Sequence, residues 1–316
     1  MKKTISFLLA PVFLSACSQG HVETSDHTHN NQIVSTAQAQ TPTPSKNIKI
    51  ETLGATFYML TGPGGNIGVS TGDDGVFVID DKFDRFGEEI IDVIKSLSSE
   101  PIRFVVNTHY HGDHTGGNSK LKATGATIVA HDNVRSRMGI SFENKLFGRT
   151  VKATEPKQWP DVTFSENATF HMNGQTVNVI HTPNAHTDGD AIIYFTEANI
   201  LHMGDNYFNG LFPYIDVDSG GSLQGMIKAH QVALDMINDE TQIIPGHGPL
   251  AVKNDLKTAQ SLLIDVQSRV KERMNKGENL DTIIAAKPLA DYSSFSSFID
   301  EEKMVRIAYA SLMSEE

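Results

Sequence analysis

Apolar positions fall along the chain in three regimes. Ile5–Leu14 is one short apolar run behind Lys2 and Lys3. Residues 18–47 are mostly Ser, Thr, Gln, Asn and Pro, with few apolar positions. From Ile48 onward, short apolar runs alternate with Gly-rich breaks. Ile48–Leu60, Asn66–Ser70 and Val76–Ile79 predict strands, with turns at Gly62–Gly65 and Gly72–Gly75. Ile90, Ile91, Ile94 and Leu97 recur at helical spacing and predict a helix over Phe86–Leu97. Arg103–Asn107 and Ala126–Ala130 predict strands, Thr115–Thr124 and His131–Met138 helices, and 139–163 an irregular stretch around Trp159. Further strands are expected at Ala168–Met172, Gln175–Ile180, Ala191–Phe195 and Ile200–His202, with a hairpin turn at Asn173-Gly174. A helix over Leu223–Ile237, a strand over Gln242–Ile244 and a mostly helical tail from Val252 complete the pattern. Strands followed by helices, twice, favour an α/β arrangement of mixed layers around one core.

The first two regimes predict targeting and tethering. An apolar run of this length is too short to span a bilayer as a helix. It ends in Leu14-Ser15-Ala16-Cys17, which resembles a bacterial lipoprotein signal. That resemblance implies a signal peptide at 1–16, cleavage before Cys17 and lipidation of its thiol. The other reading is an ordinary secretory peptide, with Cys17 incidental. Residues 17–47 cannot bury enough surface to offset their ordering entropy and read as a tether. His21, His27 and His29 are expected to be solvated there. The expected location is the cell envelope, with the chain facing the periplasm on a lipid-anchored membrane attachment, at the outer membrane where one exists. The folded domain is expected at 48–316.

Composition narrows the chemistry. With 39% hydrophobic and 20% charged positions, the chain is neither disordered nor a multi-span membrane protein. A formal net charge of -12 argues against nucleic acid as a partner, since phosphate binding needs a basic surface. One Cys rules out an internal disulfide framework and any Cys-cluster metal site. Thirteen His leave an imidazole-rich metal site open.

The informative string is His109-Tyr110-His111-Gly112-Asp113-His114, directly after a predicted strand. A string of the form HxHxDH arises by chance on the order of once in a thousand chains of this length. His186, Asp205 and His247 each follow an apolar run among Gly or Pro, as ligands carried on loops would. The intervals from His114 are 72, 19 and 42 residues.

In order and spacing these residues resemble the metallo-β-lactamase superfamily, over roughly Ile48–Leu250. The resemblance implies a four-layer αββα sandwich with metals at one edge of the two sheets. It implies one metal on His109, His111 and His186, a second on Asp113, His114 and His247, and Asp205 as the bridging carboxylate. Imidazoles and carboxylates suit two zinc ions, and iron or manganese as well. Two adjacent cations can share a hydroxide near neutral pH, with Asp113 orienting it and shuttling its proton. Asp80, at the end of Val76–Ile79, resembles a residue that orients a ligand His, or is simply a polar strand end. Asp188 and Asp190 read as turn formers. His131, His171, His181, His202 and His230 match no ligand position. Tyr207, Phe208, Phe212 and Tyr214 are candidates for the wall of a pocket for a small-molecule substrate.

Departures within the superfamily sort its branches. One β-lactamase subclass has a Cys ligand where this chain has Asp205, with a Lys soon after; here Asn206-Tyr207-Phe208-Asn209-Gly210 follows, without Lys. Asp205 is closer to the lactonase and thioesterase branches. The leading expectation is therefore a dinuclear zinc hydrolase of a carboxylic ester, lactone or thioester. A β-lactamase, and a metal-bound redox or accessory protein without turnover, are the alternatives.

Overall fold

The computed structural model describes residues 45–314. The chain opens with β1 (Lys49–Thr52), β2 (Phe57–Thr61), β3 (Ile67–Ser70) and β4 (Val76–Ile79), then α1 (Gly87–Leu97) and β5 (Ile102–Val106). Next come α2 (Gly112–Thr115), α3 (Asn118–Ala123), β6 (Thr127–His131) and α4 (Asp132–Met138). A small hairpin, β7 (Phe142–Asn144) and β8 (Arg149–Val151), precedes β9 (Val162–Phe164). The second half holds β10 (Asn167–Met172), β11 (Gln175–His181), β12 (Ala191–Phe195), β13 (Ile200–Phe208), α5 (Leu223–Met236) and β14 (Gln242–His247). Helices α6 (Lys253–Asn275), α7 (Leu280–Ala285) and α8 (Glu301–Met313) close the chain.

Two sheets stack face to face. The first runs β1-β2-β3-β4-β5-β6-β9 and the second β10-β11-β12-β13-β14. The first is antiparallel up to β4 and parallel from there. In the second, β13 and β14 are parallel and the other pairs antiparallel. Strand β4 shows why the layers form. All four residues of Val-Phe-Val-Ile are buried, because successive side chains point to opposite, covered faces. Phe77 and Ile79 meet Val177, Val179 and Ile193 of the second sheet. Val76 and Val78 meet Ile90, Ile91 and Ile94 of α1. On the far side, Leu201, Met203 and Ile243 pack on Ala233 and Leu234 of α5 and Leu256 of α6. The result is helix, sheet, sheet, helix, the αββα sandwich expected.

Several local expectations shift, each for a physical reason. Ile48–Leu60 is a hairpin, because Gly54 and its neighbours turn the chain so that Lys49 pairs with Thr61. The helix expected at Thr115–Thr124 is two pieces, α2 and α3. Its break is held by Gly116 N donating to the Lys82 carbonyl and Gly117 N donating to the Asp81 carboxylate. Asp113 therefore lies inside α2, whose N-cap is His111. Strand β13 does not stop at His202. Gly204, at φ 51, absorbs a register shift and lets the strand continue to Phe208. Asp205 and His247 thus sit in strands rather than loops; only His186 is on a loop. The stretch 139–163 contains the β7–β8 hairpin and β9, strands of three residues that are too short to show alternation.

Cys17 and most of the expected tether lie outside the described residues. Asn47, expected to be its last residue, donates from its backbone N and Nδ2 to Glu89 at 2.8 and 2.9 Å. Among the described residues, no helix is long and apolar enough to cross a membrane.

Phe77 is the packing centre between the sheets, with edge-on contacts to Phe170 and Phe195 at 5.2 and 5.7 Å. Phe77→Ala should lower stability by about 3–5 kcal/mol. A denaturation midpoint within about 1 kcal/mol of wild type would contradict this core assignment.

Candidate metal centre

The six residues from His109 to His114 follow β5 at one edge of the sandwich. Asp205 and His247 reach the same edge on β13 and β14, and His186 on the loop after β11. The structure brings all seven together, in two groups: His109, His111, His186 and Asp205, and Asp113, His114 and His247.

In the first group, His111 Nδ1 lies 3.1 Å from His109 Nε2 and 2.9 Å from His186 Nε2. Asp205 Oδ2 is 3.8 Å from His109 Nε2 and 3.5 Å from His186 Nε2. In the second group, Asp113 Oδ2 is 3.8 Å from His114 Nε2 and 3.4 Å from His247 Nε2. The other Asp205 oxygen, Oδ1, is 3.1 Å from His114 Nε2 and 3.4 Å from His247 Nε2. Asp205 thus turns one oxygen to each group.

Hydrogen bonds on the outer ring atoms set which nitrogens face inward. His114 Nδ1 donates to Asp80 Oδ2 at 2.7 Å, and His186 Nδ1 to the Tyr214 carbonyl at 2.7 Å. The Thr108 hydroxyl donates to Asp80 Oδ2 at 2.8 Å, so it accepts from His109 Nδ1 at 3.0 Å. His111 Nε2 donates to Asp216 Oδ2 at 3.1 Å. The inward nitrogens of His109, His111 and His186 are therefore lone pairs facing lone pairs, an arrangement that a cation relieves. Two further observations fit a metal. His114 Nε2 and Asp205 Oδ1 are buried with no hydrogen-bond partner, their 3.1 Å approach being misaligned for one. The donors are imidazoles and carboxylates, the set that holds zinc and similar divalent ions.

A family model described as Metallo-beta-lactamase superfamily matches residues 60–247, from β2 to the last of these side chains. The chain belongs to the metallo-β-lactamase superfamily. Among curated relatives, a hydroxyacylglutathione hydrolase of Methylococcus capsulatus is 32% identical over 120 residues, 37% of this chain and 39% of that protein. Another, from Polaromonas sp., is 28% identical over 156 residues, 48% of this chain and 50% of that protein. The chain thus spans half or less of the length of these two relatives. A solved metallo-β-lactamase from Pontibacter korlensis superposes with a TM-score of 0.58 at 21% identity, over 69% of this chain and 99% of that one.

Around this superfamily centre, charge is arranged tightly. Burial pushes the His109 imidazole well below its ordinary value and His186 down to about 4, so both are neutral. Burial acts the same way on His114 and His247, but neighbouring carboxylates, Asp205 foremost, override it. His114 is raised well above the ordinary value and His247 to about 9. Burial would raise Asp113 and Asp205, yet the facing imidazoles hold both below the usual carboxylate range.

Asp80 is fully buried and, besides His114 and Thr108 Oγ1, accepts the Thr108 backbone N–H at 2.7 Å. Its φ of 63° turns the chain off β4 to bring it there. Two glycines let backbone approach the centre: a Cβ on Gly65 would lie 2.1 Å from His114 Cε1, and one on Gly246 2.0 Å from Asp205 Oδ1. Asp190 is buried and closes the His186 loop by accepting from Thr187 N at 2.8 Å. Asp188 pairs with Arg137 through two bonds of 2.6 Å. The five other histidines among the described residues stay out of the cluster. His131 and His181 stack at 3.8 Å, while His202 and His230 bond to the carbonyls of Asn66 and Asn206.

Sequence reasoning missed three residues. Asp216 bonds His111 and also accepts from the Tyr110 hydroxyl at 2.6 Å. Lys82 is buried and donates to the Gly65 carbonyl; burial lowers its amine to about 8. The position of Tyr110 between two ligand-type histidines was a usable signal; Asp216, over a hundred residues away, carried none.

A cavity of about 640 Å³ opens on the centre. Phe208 stacks on His247 at 5.0 Å and Tyr214 on His111 at 5.7 Å, and Phe212 also lines the cavity. Tyr207 does not, contrary to expectation. Tyr207 is instead buried against His230, on the side of β13 away from Phe208, with its hydroxyl donating to Asn209 Oδ1 at 3.0 Å.

Two measurements check this geometry. Asp80→Asn should weaken zinc binding by about 10- to 100-fold in chelator competition, because it leaves the His114 ring without its anionic partner. An unchanged affinity would contradict that role. Metal-free protein should also respond to pH through His247, whose value of about 9 lies above its ordinary 6.5. The stability from this raised group is full below pH 6.5 and is lost as pH rises through 9. Zinc affinity should rise over the same interval, since the proton and the metal compete. Denaturation midpoints that increase from pH 6.5 to 9 in chelator-treated protein would contradict the assignment.

Proposed function

We propose that the chain is a metal-dependent hydrolase of a carboxylic ester, lactone or thioester. The observation that carries this reading is Asp205, whose two oxygens face two separate groups of donors beside an open cavity. His109, His111 and His186 would hold one divalent cation and Asp113, His114 and His247 another, with Asp205 shared between them. Zinc is the metal that this donor set suits best. Bound there, such ions lower the pKa of water and polarise a carbonyl oxygen.

The chain's own residues supply the rest. Asp113 lines the cavity and is partly open to it, so its carboxylate is placed to take a proton from an attacking water. The water oxygen adds to the carbonyl carbon, the C–O or C–S bond breaks, and the proton passes from Asp113 to the leaving oxygen or sulfur. Phe208 and Tyr214, stacked on His247 and His111, shield the reacting bond from bulk water. The hydroxyacylglutathione hydrolases among the relatives carry a name that denotes cleavage of an acyl thioester, which supports this class over a β-lactam. The segment after Asp205 supports it too, having no Lys to meet a β-lactam carboxylate.

The test is turnover by zinc-loaded protein of an aryl ester, a lactone, an acyl thioester and a β-lactam, side by side. At least one of the first three should be cleaved, and Asp113→Asn should lower both kcat and kcat/KM by at least about a hundredfold. Turnover of the β-lactam alone, or a variant within a few-fold of wild type, would overturn the reading. Metal binding without turnover of any of the four would favour a redox or accessory role.

A further inference from the structure

The cavity has a chemistry of its own beyond the centre it opens on. Its outer wall comes from two segments far from the ligands in sequence: the β7–β8 hairpin and residues 297–299 before α8. Phe147, at the hairpin turn, stacks on Phe298 at 4.9 Å and 27°. Phe298 is 61% exposed, an unusual placement for a large aromatic ring unless something covers it. Phe147 also packs on Tyr214 at 5.3 Å, and Asn144 Nδ2 fixes the Tyr214 hydroxyl at 2.6 Å. An apolar shelf therefore leads from the metal centre outward, continued by Met138 and Val151.

Charge at this mouth runs against that of the whole chain. Among the described residues, the only acidic side chains lining the cavity are Asp113 and Asp205, both turned to the histidines. Three cations line it: Arg137, Arg149 and Lys152. Arg137 is neutralised by Asp188, and nearby Lys145 by Asp218. Arg149 and Lys152 are exposed and have no carboxylate partner among the described residues. The Arg149 guanidinium is instead held over the Phe147 ring at 5.4 Å, at the end of the aromatic shelf. In a chain of net charge -12, two unpaired cations beside an apolar cavity form a local site for an anion.

We propose that the substrate is an amphiphilic anion. Its apolar aryl or medium-length alkyl portion lies along Phe147, Phe298 and Phe212, and a carboxylate, sulfonate or phosphate group at its far end meets Arg149 and Lys152. This rests on the hydrolase reading for the bond that is broken, but not for the pocket. A volume of about 640 Å³ accommodates a ligand of that size.

Binding of unreactive probes separates the two. Naphthyloxyhexyl sulfonate and naphthyloxyhexanol share the apolar part, differ in charge and contain no bond a hydrolase could cleave. Calorimetry on the full-length, zinc-loaded protein should show the sulfonate bound about five- to tenfold more tightly, the scale of two solvent-exposed charge contacts. In the R149Q/K152Q double variant that preference should vanish, with the alcohol's affinity unchanged. Phe298→Ala, at an exposed position, should weaken both probes by about three- to tenfold while leaving the melting temperature unaltered. Equal affinities in wild type, a preference that survives in the double variant (which would put the anion on the metal), or no effect of Phe298→Ala each overturns the proposal. If the binding pattern holds and no ester, lactone or thioester of this shape is cleaved, the hydrolase reading fails alone.

Discussion

The structure turns on a set of lone pairs held face to face in a largely buried pocket. His109, His111 and His186 present bare nitrogens at 2.9 and 3.1 Å spacings, with Asp205 beside them. Left to themselves these rings would rotate and donate to one another or to water. Each is prevented by a bond on its far side: Thr108 for His109, Asp216 for His111, Asp80 for His114, the Tyr214 carbonyl for His186. Buried acceptors without donors are costly, so this edge of the sandwich is destabilised until a cation enters. The sandwich core underneath tolerates that cost because both of its sheets are covered on both faces.

The same constraint explains features that otherwise look unrelated. Asp80 takes a left-handed turn to reach two residues of the β5 edge at once. Gly65 and Gly246 lack side chains because a Cβ would occupy space that His114 and Asp205 need. Asp216 serves His111 and Tyr110 together, which couples the ligand cluster to the wall of the cavity. Beyond that wall the demands relax. The Phe147 and Phe298 shelf and its two free cations are built from a short hairpin and a connecting segment that carry none of the seven ligand-type side chains.

Much of this was legible in the sequence, and the rest was hidden for identifiable reasons. The cluster His109–His114 is local, so its residues announce one another. His186, Asp205 and His247 follow strand-like apolar runs, and their order and spacing carry the resemblance that grouped them. Val76–Ile79 and Ala191–Phe195 read correctly because an unbroken apolar run bounded by turn residues has few other solutions. Strand β13 read too short because it passes Gly204 through a register shift that the apolar pattern does not show, and Tyr207, expected on the cavity wall because it closely follows Asp205, is buried against His230 instead. Asp216 and Phe298 could not be found, since each acquires its role from a partner distant in sequence, His111 in one case and Phe147 in the other.

The central claim is that the seven side chains form two cation sites joined by Asp205. Elemental analysis after equilibrium dialysis against zinc tests it most directly, on wild type and on Asp205→Asn in parallel. Two zinc ions per wild-type chain are expected. In the variant, loss of the shared negative charge should weaken both sites together, unlike a change at His247, which touches only the second. A wild-type stoichiometry of one, or an Asp205→Asn protein that still retains two ions at the same zinc concentration, would contradict the account.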